Sequence, residues 1–136
     1  MAKHPLTHAG RVVLVVDDDP AIRRIECDVL RDAGFTVIGA EDGRAALDAV
    51  GSSPIVHLVV ADLNMPVMRG DELAARIRSR QPDTKILFVT GYSDALFEGQ
   101  PVMWQDQAFL DKPFSRRGLL EAVSLLLDGR IDLPQA

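Results

Sequence analysis

The chain is 136 residues long, 47% hydrophobic and 26% charged, with a net charge of -5 and a single cysteine, Cys27. That length and balance support one folded domain with its own core rather than a disordered segment or a pair of domains. They also exclude several classes: an acidic chain lacks the basic face that a nucleic-acid backbone needs, one cysteine forms no internal disulfide, and no apolar run approaches the roughly 18 residues that cross a bilayer. Residues 1–10 carry Pro5, Gly10, His4 and His8 without periodicity and read as a flexible lead, with the histidines solvated rather than metal-binding. No basic segment joined to an apolar stretch marks a signal peptide, so the expected location is the cytoplasm.

The run 12–16 reads as a strand buried on both faces, and it ends in Asp17-Asp18-Asp19-Pro20. Pro20 suits the first turn of a helix and Asp19 its N-cap, and Ile22, Ile25, Val29 and Ala33 then form the expected inward face up to Gly34. A second strand is expected over 35–40, and a short helix over 43–50 with Ala46, Leu47 and Val50 inward and Gly51 as its stop. The stretch HLVVADLNMP at 57–66 gives the central strand, four apolar residues and then Asp62, before Met65-Pro66 ends regular structure. After a loop over 63–70, residues 71–80 form a helix with Leu73, Ala74 and Ile77 inward. A fourth strand over 85–90 ends in Thr90-Gly91, and a short fifth over 108–110 ends in Asp111-Lys112-Pro113. Ser115 caps the last helix, whose apolar face is Leu119, Leu120, Val123, Leu126 and Leu127 before Gly129. Residues 11–128 are therefore the expected domain and 129–136 a tail. Five strands alternating with helices imply a parallel sheet with helices on both faces. Between Gly91 and Phe109 no continuous helix is expected, because Gly99 and Pro101 oppose one; a turn over 94–97 is compatible, and Val102, Met103 and Trp104 must cover the sheet edge near Phe109 or stay exposed.

In such a sheet, ligands bind beyond the carboxyl ends of the strands. The groups at these ends are Asp17 and Asp18, Asp62, Thr90 and Lys112. Each has a plain explanation by itself: a helix cap, an acidic turn, a turn residue, a surface charge. Jointly they form a site. Crowded carboxylates repel one another unless a cation sits among them, and a hard divalent ion such as Mg2+ suits oxygen ligands, whereas zinc lacks nearby Cys or His. A lysine and a hydroxyl beside a carboxylate suit a phosphoryl group, with Asp62 as the nucleophile that forms an aspartyl phosphate.

VVDDDP at 15–20, ADLNMP at 61–66, VTGY at 89–92 and FLDKPF at 109–114, in this order and spacing, closely resemble the receiver domain of two-component response regulators. The resemblance covers roughly residues 11–128. It implies a flavodoxin-like, doubly wound five-stranded parallel sheet of order 2-1-3-4-5, the order of the chemotaxis receiver. It also implies a signalling switch rather than an enzyme, with slow self-dephosphorylation at most. Asp62 would accept phosphate from a sensor histidine kinase or a histidine phosphotransfer protein. Asp17, Asp18, Asp62 and the backbone carbonyl of Asn64 would hold Mg2+, and Thr90 and Lys112 would grip the phosphoryl oxygens. Thr90 and Phe109 would be the switch pair, Lys112-Pro113 a cis bond, and the face over 93–127 the surface for a downstream protein.

One departure is Arg69, where receivers commonly carry an acidic or amide residue. His57 is expected as a strand residue and Cys27 as a partly covered helix residue, neither with a chemical role. A phosphatase of the haloacid dehalogenase type also uses an aspartyl phosphate and Mg2+, but it needs an acid two residues after the nucleophile, and here that residue is Asn64. The motifs also suit a receiver cut from a hybrid histidine kinase. A passive adaptor with a degenerate site is opposed by the complete set of acids, hydroxyl and lysine.

Overall fold

The apolar, β-branched runs of the sequence become the strands, because a strand covered on both faces has to be apolar at every position. The computed structural model describes residues 10–52, 55–91, 102–104 and 107–129. Its elements in chain order are β1 (Val12–Val16), α1 (Pro20–Asp32), β2 (Thr36–Ala40), α2 (Gly43–Ser52), β3 (Leu58–Asp62), α3 (Gly70–Arg80), β4 (Lys85–Thr90), β5 (Val102–Trp104), β6 (Gln107–Asp111) and α4 (Arg116–Asp128). The sheet order is β2-β1-β3-β4-β6-β5. The first five of these strands are parallel and reproduce the expected 2-1-3-4-5 arrangement.

The sixth strand is a correction. β5 pairs antiparallel to β6, with Val102 opposite Phe109 and Trp104 opposite Gln107. Three residues are too few for a period to show in sequence; of the two alternatives, covering the sheet edge near Phe109 or staying exposed, the backbone pairing places 102–104 along that edge, and a strand there excludes a continuous helix through this stretch. The turn expected over 94–97, residues 1–9 of the expected lead over 1–10, and the tail beyond Gly129 lie outside the described residues.

Alternation along the strands sends side chains to two cores. On one face Val13, Val15, Leu58, Val60, Leu87 and Val89 pack with Leu30 of α1 and Leu119, Val123 and Leu126 of α4. On the other, Leu14, Val16, Val59, Ala61 and Ile86 pack with Ala46 and Val50 of α2 and Leu73, Ala74 and Ile77 of α3. Each fully buried aliphatic side chain contributes about 1.5–3 kcal/mol. An ion pair at 2.8 Å between Arg11 and Asp128 ties the start of β1 to the end of α4.

The expected caps are present. The Asp19 side chain accepts from the backbone N–H groups of Ala21 and Ile22, and Ser115 Oγ accepts from Gly118 N–H at 2.9 Å. α2 runs one residue past Gly51 instead of stopping there. The face of α1 differs more. Ile25, expected inward, is exposed, while Glu26, Cys27, Val29 and Leu30 are buried. The inward stripe is rotated by about one position, and Cys27 is covered fully rather than partly. Burial raises the Cys27 thiol above its ordinary range. His57 lies one residue before β3, yet its backbone joins the ladder and its Nδ1 accepts from Val12 N–H at 3.0 Å.

The β3–α3 corner is tight. A side-chain carbon on Gly70 would lie 2.5 Å from the Asp62 carbonyl oxygen, so only glycine allows α3 to start against the end of β3. Val67, in the same loop, has φ +74°, a costly setting for a β-branched residue and one found where a loop is held by its surroundings.

Candidate functional site

The sheet register brings the strand exits to one edge. Asp62 pairs with Val89, Thr90 pairs with Asp111, and Lys112 N–H donates to the Thr90 carbonyl at 2.8 Å. Leu63 N–H donates to the Val89 carbonyl at 3.0 Å, which carries the β3–β4 pairing one step past Asp62. Asp17 follows β1 directly, and its N–H donates to the Ala40 carbonyl at the end of β2. Asp17, Asp62 and Thr90 are buried, whereas Asp18 is exposed.

The lysine closes the cluster. Lys112 Nζ donates to Asp17 Oδ2 at 3.1 Å and to Asp62 Oδ2 at 3.2 Å, reaching across from the far side of the sheet edge. The turn after Lys112 is the expected cis Lys112-Pro113 bond. Burial alone would lower the Lys112 ammonium, but attraction from Asp17 and Asp62 outweighs it and holds the group above its ordinary value. Asp17 moves the other way for a carboxylate. Burial raises it, the hydrogen bond from Asp19 N–H and the Lys112 charge oppose that, and repulsion from Asp62 adds to it. Burial wins at Asp17 even beside its ion pair.

Ligand oxygens of Asp17, Asp18 and Asp62 lie within 4.8 Å of one another. Asp17 Oδ1 takes the Asp19 N–H at 2.9 Å and Asp62 Oδ1 takes the Asn64 N–H at 3.0 Å. Each carboxylate oxygen has two lone pairs, so these bonds leave acceptor capacity on both groups. An all-oxygen donor set of this charge fits Mg2+, which keeps some of its own waters and needs few protein ligands.

Asn64 and Phe109 complete the surroundings. Asn64 Nδ2 donates to Thr90 Oγ1 at 3.4 Å. Phe109, half-buried on β6, stacks on Phe88 with ring centroids 5.0 Å apart and an interplanar angle of 25°. The structure thus gathers Asp17, Asp18, Asp62, Asn64, Thr90 and Lys112 into one cluster and sets Phe109 in the neighbouring strand.

One residue was missed. Glu26 of α1 is 1% exposed, and its Oε2 has no hydrogen-bond partner among the described residues. Burial pushes its carboxyl up to about 8; repulsion from Asp17 and Asp62 adds to the rise and attraction from Lys112 opposes it. Glu26 lies behind the acidic cluster as a carboxyl held mostly protonated at neutral pH. A signal existed, since Glu26 stands three and four residues before Val29 and Leu30, on the same helical face. The habit of turning a charged residue outward and Ile25 inward concealed it.

Comparison with known proteins gives one answer. The family model "Response regulator receiver domain" matches residues 13–124. The chain is 32% identical over 115 residues to the response regulator receiver protein CpdR of Brucella abortus, covering 85% of this chain and 95% of that protein. It is 35% identical over 117 residues to the sensor kinase CckA of the same organism, covering 85% of this chain but only 12% of that protein. Among solved structures, Vibrio cholerae chemotaxis protein CheY4 matches with a TM-score of 0.74 and 31% identity, covering 88% of this chain and all of that one.

Proposed function

The chain belongs to the response regulator receiver domain family, and from that premise we propose that it is a phosphoacceptor switch in which Asp62 is the acceptor. Lys112 carries this reading, because one ammonium bonded to both Asp17 and Asp62 sets a buried nucleophilic carboxylate next to a cation able to receive phosphoryl charge. An Asp62 oxygen attacks the phosphorus of a phosphohistidine. The new O–P bond forms as the P–N bond breaks, and its electron pair returns to the imidazole, which takes up a proton from solvent. The Thr90 hydroxyl and the Lys112 ammonium stabilise the charge on the transferring oxygens. Asp17, Asp18, Asp62 and the backbone carbonyl of Asn64 would hold Mg2+, which supplies charge neutralisation at this site when bound.

The donor is a sensor histidine kinase or a histidine phosphotransfer protein, and the setting is the cytoplasm. Among the described residues no helix is long and apolar enough to cross a membrane. Self-dephosphorylation is slow, since Asn64 stands where a phosphatase of aspartyl-phosphate type needs an acid. Thr90 and Phe109 relay the state of Asp62 to the face over 93–127, where a downstream protein docks. The test is transfer from purified, labelled histidine kinases. Label should move to the wild-type chain and not to Asp62→Asn; transfer to Asp62→Asn at the wild-type rate would refute the assignment.

Mg2+ binds the native cluster and not the unfolded chain, so saturating Mg2+ should raise the melting temperature, by about 2.7 kcal/mol in stability at a hundredfold excess over Kd. Asp18→Ala should abolish that gain. A full Mg2+ response in Asp18→Ala would remove Asp18 from the site.

A further inference from the structure

Arg69 stands beside the acceptor without belonging to the acids, hydroxyl and amine described above. It is the residue that precedes α3, but its side chain makes no capping bond. Its Nε donates to Asp71 Oδ1 at 3.1 Å and its Nη1 donates to Asn64 Oδ1 at 3.2 Å. Asp71 is held in turn, since the same Oδ1 accepts from Glu72 N–H at 3.0 Å in the first turn of α3. On the other side of the amide, Asn64 Nδ2 donates to Thr90 Oγ1, while Asn64 N–H is on Asp62 Oδ1. A continuous path of hydrogen bonds runs from the start of α3 through Arg69 and Asn64 to Thr90.

The two ends of an asparagine amide have nearly the same shape, so neighbouring charges decide which way it points. A guanidinium only donates, in a rigid planar fork. With Nε anchored on Asp71, Nη1 requires an acceptor from Asn64, which turns the amide oxygen outward and the NH2 inward.

We infer that Arg69 is a positioning residue of the phosphoryl site, fixing the Asn64 side chain so that it presents its NH2, and not its carbonyl, on the Thr90 side where the phosphoryl group arrives. The inference rests on Asp62 being the phosphoryl acceptor. An NH2 there adds a donor to the charge that develops on the transferring oxygens, and a flipped amide would set a carbonyl dipole against that charge.

The experiment measures initial rates of phosphorylation by acetyl phosphate with Mg2+ for Arg69→Met and Arg69→Lys, each in the wild-type and the Asn64→Ala background. Arg69→Met should be about three- to tenfold slower, less than the loss of a whole oxyanion donor because the amide still samples the right orientation. Arg69→Lys should recover little of the rate, because an ammonium keeps the charge but not the fork that joins Asp71 to Asn64, and the Arg69→Met effect should vanish in Asn64→Ala. The melting temperature of the unphosphorylated protein should not move. An undiminished loss in Asn64→Ala would show Arg69 acting as a bulk charge, and no loss at all would show it idle; either overturns the inference. A second readout needs no phosphorylation. The Asn64 side-chain NH2 signals in NMR should shift toward random-coil values in Arg69→Met, and unchanged signals would overturn the inference whatever happens at Asp62. A chain that shifts these signals but never phosphorylates would instead reject the acceptor reading.

Discussion

Lys112→Met is expected to slow phosphorylation of the chain by about a hundredfold or more, the scale on which removing one preorganised donor from a developing oxyanion acts. The side chain is well covered and touches both Asp17 and Asp62. The same change should destabilise the metal-free fold, because it leaves two close carboxylates uncompensated. Removing one partner of a buried pair costs about 3–5 kcal/mol, and the partial exposure of Lys112 places the expected loss nearer 2 kcal/mol. Mg2+ should restore much of that stability while leaving the rate low, since neutralising the carboxylates does not replace the lost contact to the phosphoryl oxygens. The checks are the initial rate with acetyl phosphate and melting with and without Mg2+. A Lys112→Met protein that phosphorylates at the wild-type rate would exclude Lys112 from the chemistry.

Glu26→Leu is expected to stabilise the protein, and to do so only above mildly acidic pH. A carboxyl whose pKa is raised on folding holds its proton in the native state while the unfolded chain ionises. Its contribution is therefore fully present below the unfolded value and is lost as pH rises toward the folded one. For Glu26 the interval runs from the ordinary 4.5 to about 8, and at about 1.4 kcal/mol per unit the whole loss is of order 5 kcal/mol. By pH 7 about half or more of it has gone, so leucine at that position should gain about 2–3 kcal/mol there and little near pH 4. Asp17, raised mainly by burial, slopes the same way and remains in the variant. Denaturant titrations of the metal-free protein from pH 4 to pH 8 decide the matter. Parallel pH profiles for wild type and Glu26→Leu would mean that Glu26 ionises freely in the fold.

The parts of the structure that could be read from sequence are those where a single local cause acts. Val12–Val16 and Leu58–Asp62 announce themselves because burial on both faces allows no polar residue until the strand emerges. Asp19 and Ser115 were readable because a cap needs a short side-chain acceptor at one position. The acids, hydroxyl and amine were readable because parallel strands deliver their ends to one edge. What escaped depends on tertiary context. The phase of α1 is set by packing on the sheet, which hides Glu26 and exposes Ile25 against the usual preference of both residues. β5 exists only because β6 offers an unpaired edge. The path from Arg69 to Thr90 joins residues whose side chains meet only after the loop beyond Asp62 folds back on Gly70.

The central claim is that Asp62 is the acceptor, and intact-mass spectrometry after incubation with acetyl phosphate and Mg2+ tests it most directly. The wild-type chain should gain the mass of one phosphoryl group and no more, the gain should disappear when the divalent ion is chelated, and Asp62→Asn should gain nothing while still folding. Asn keeps the size of the side chain and the oxygen that accepts from Asn64 N–H, but removes the nucleophilic charge. A phosphoryl group that still appears on Asp62→Asn, or that forms without any divalent ion, would contradict the account.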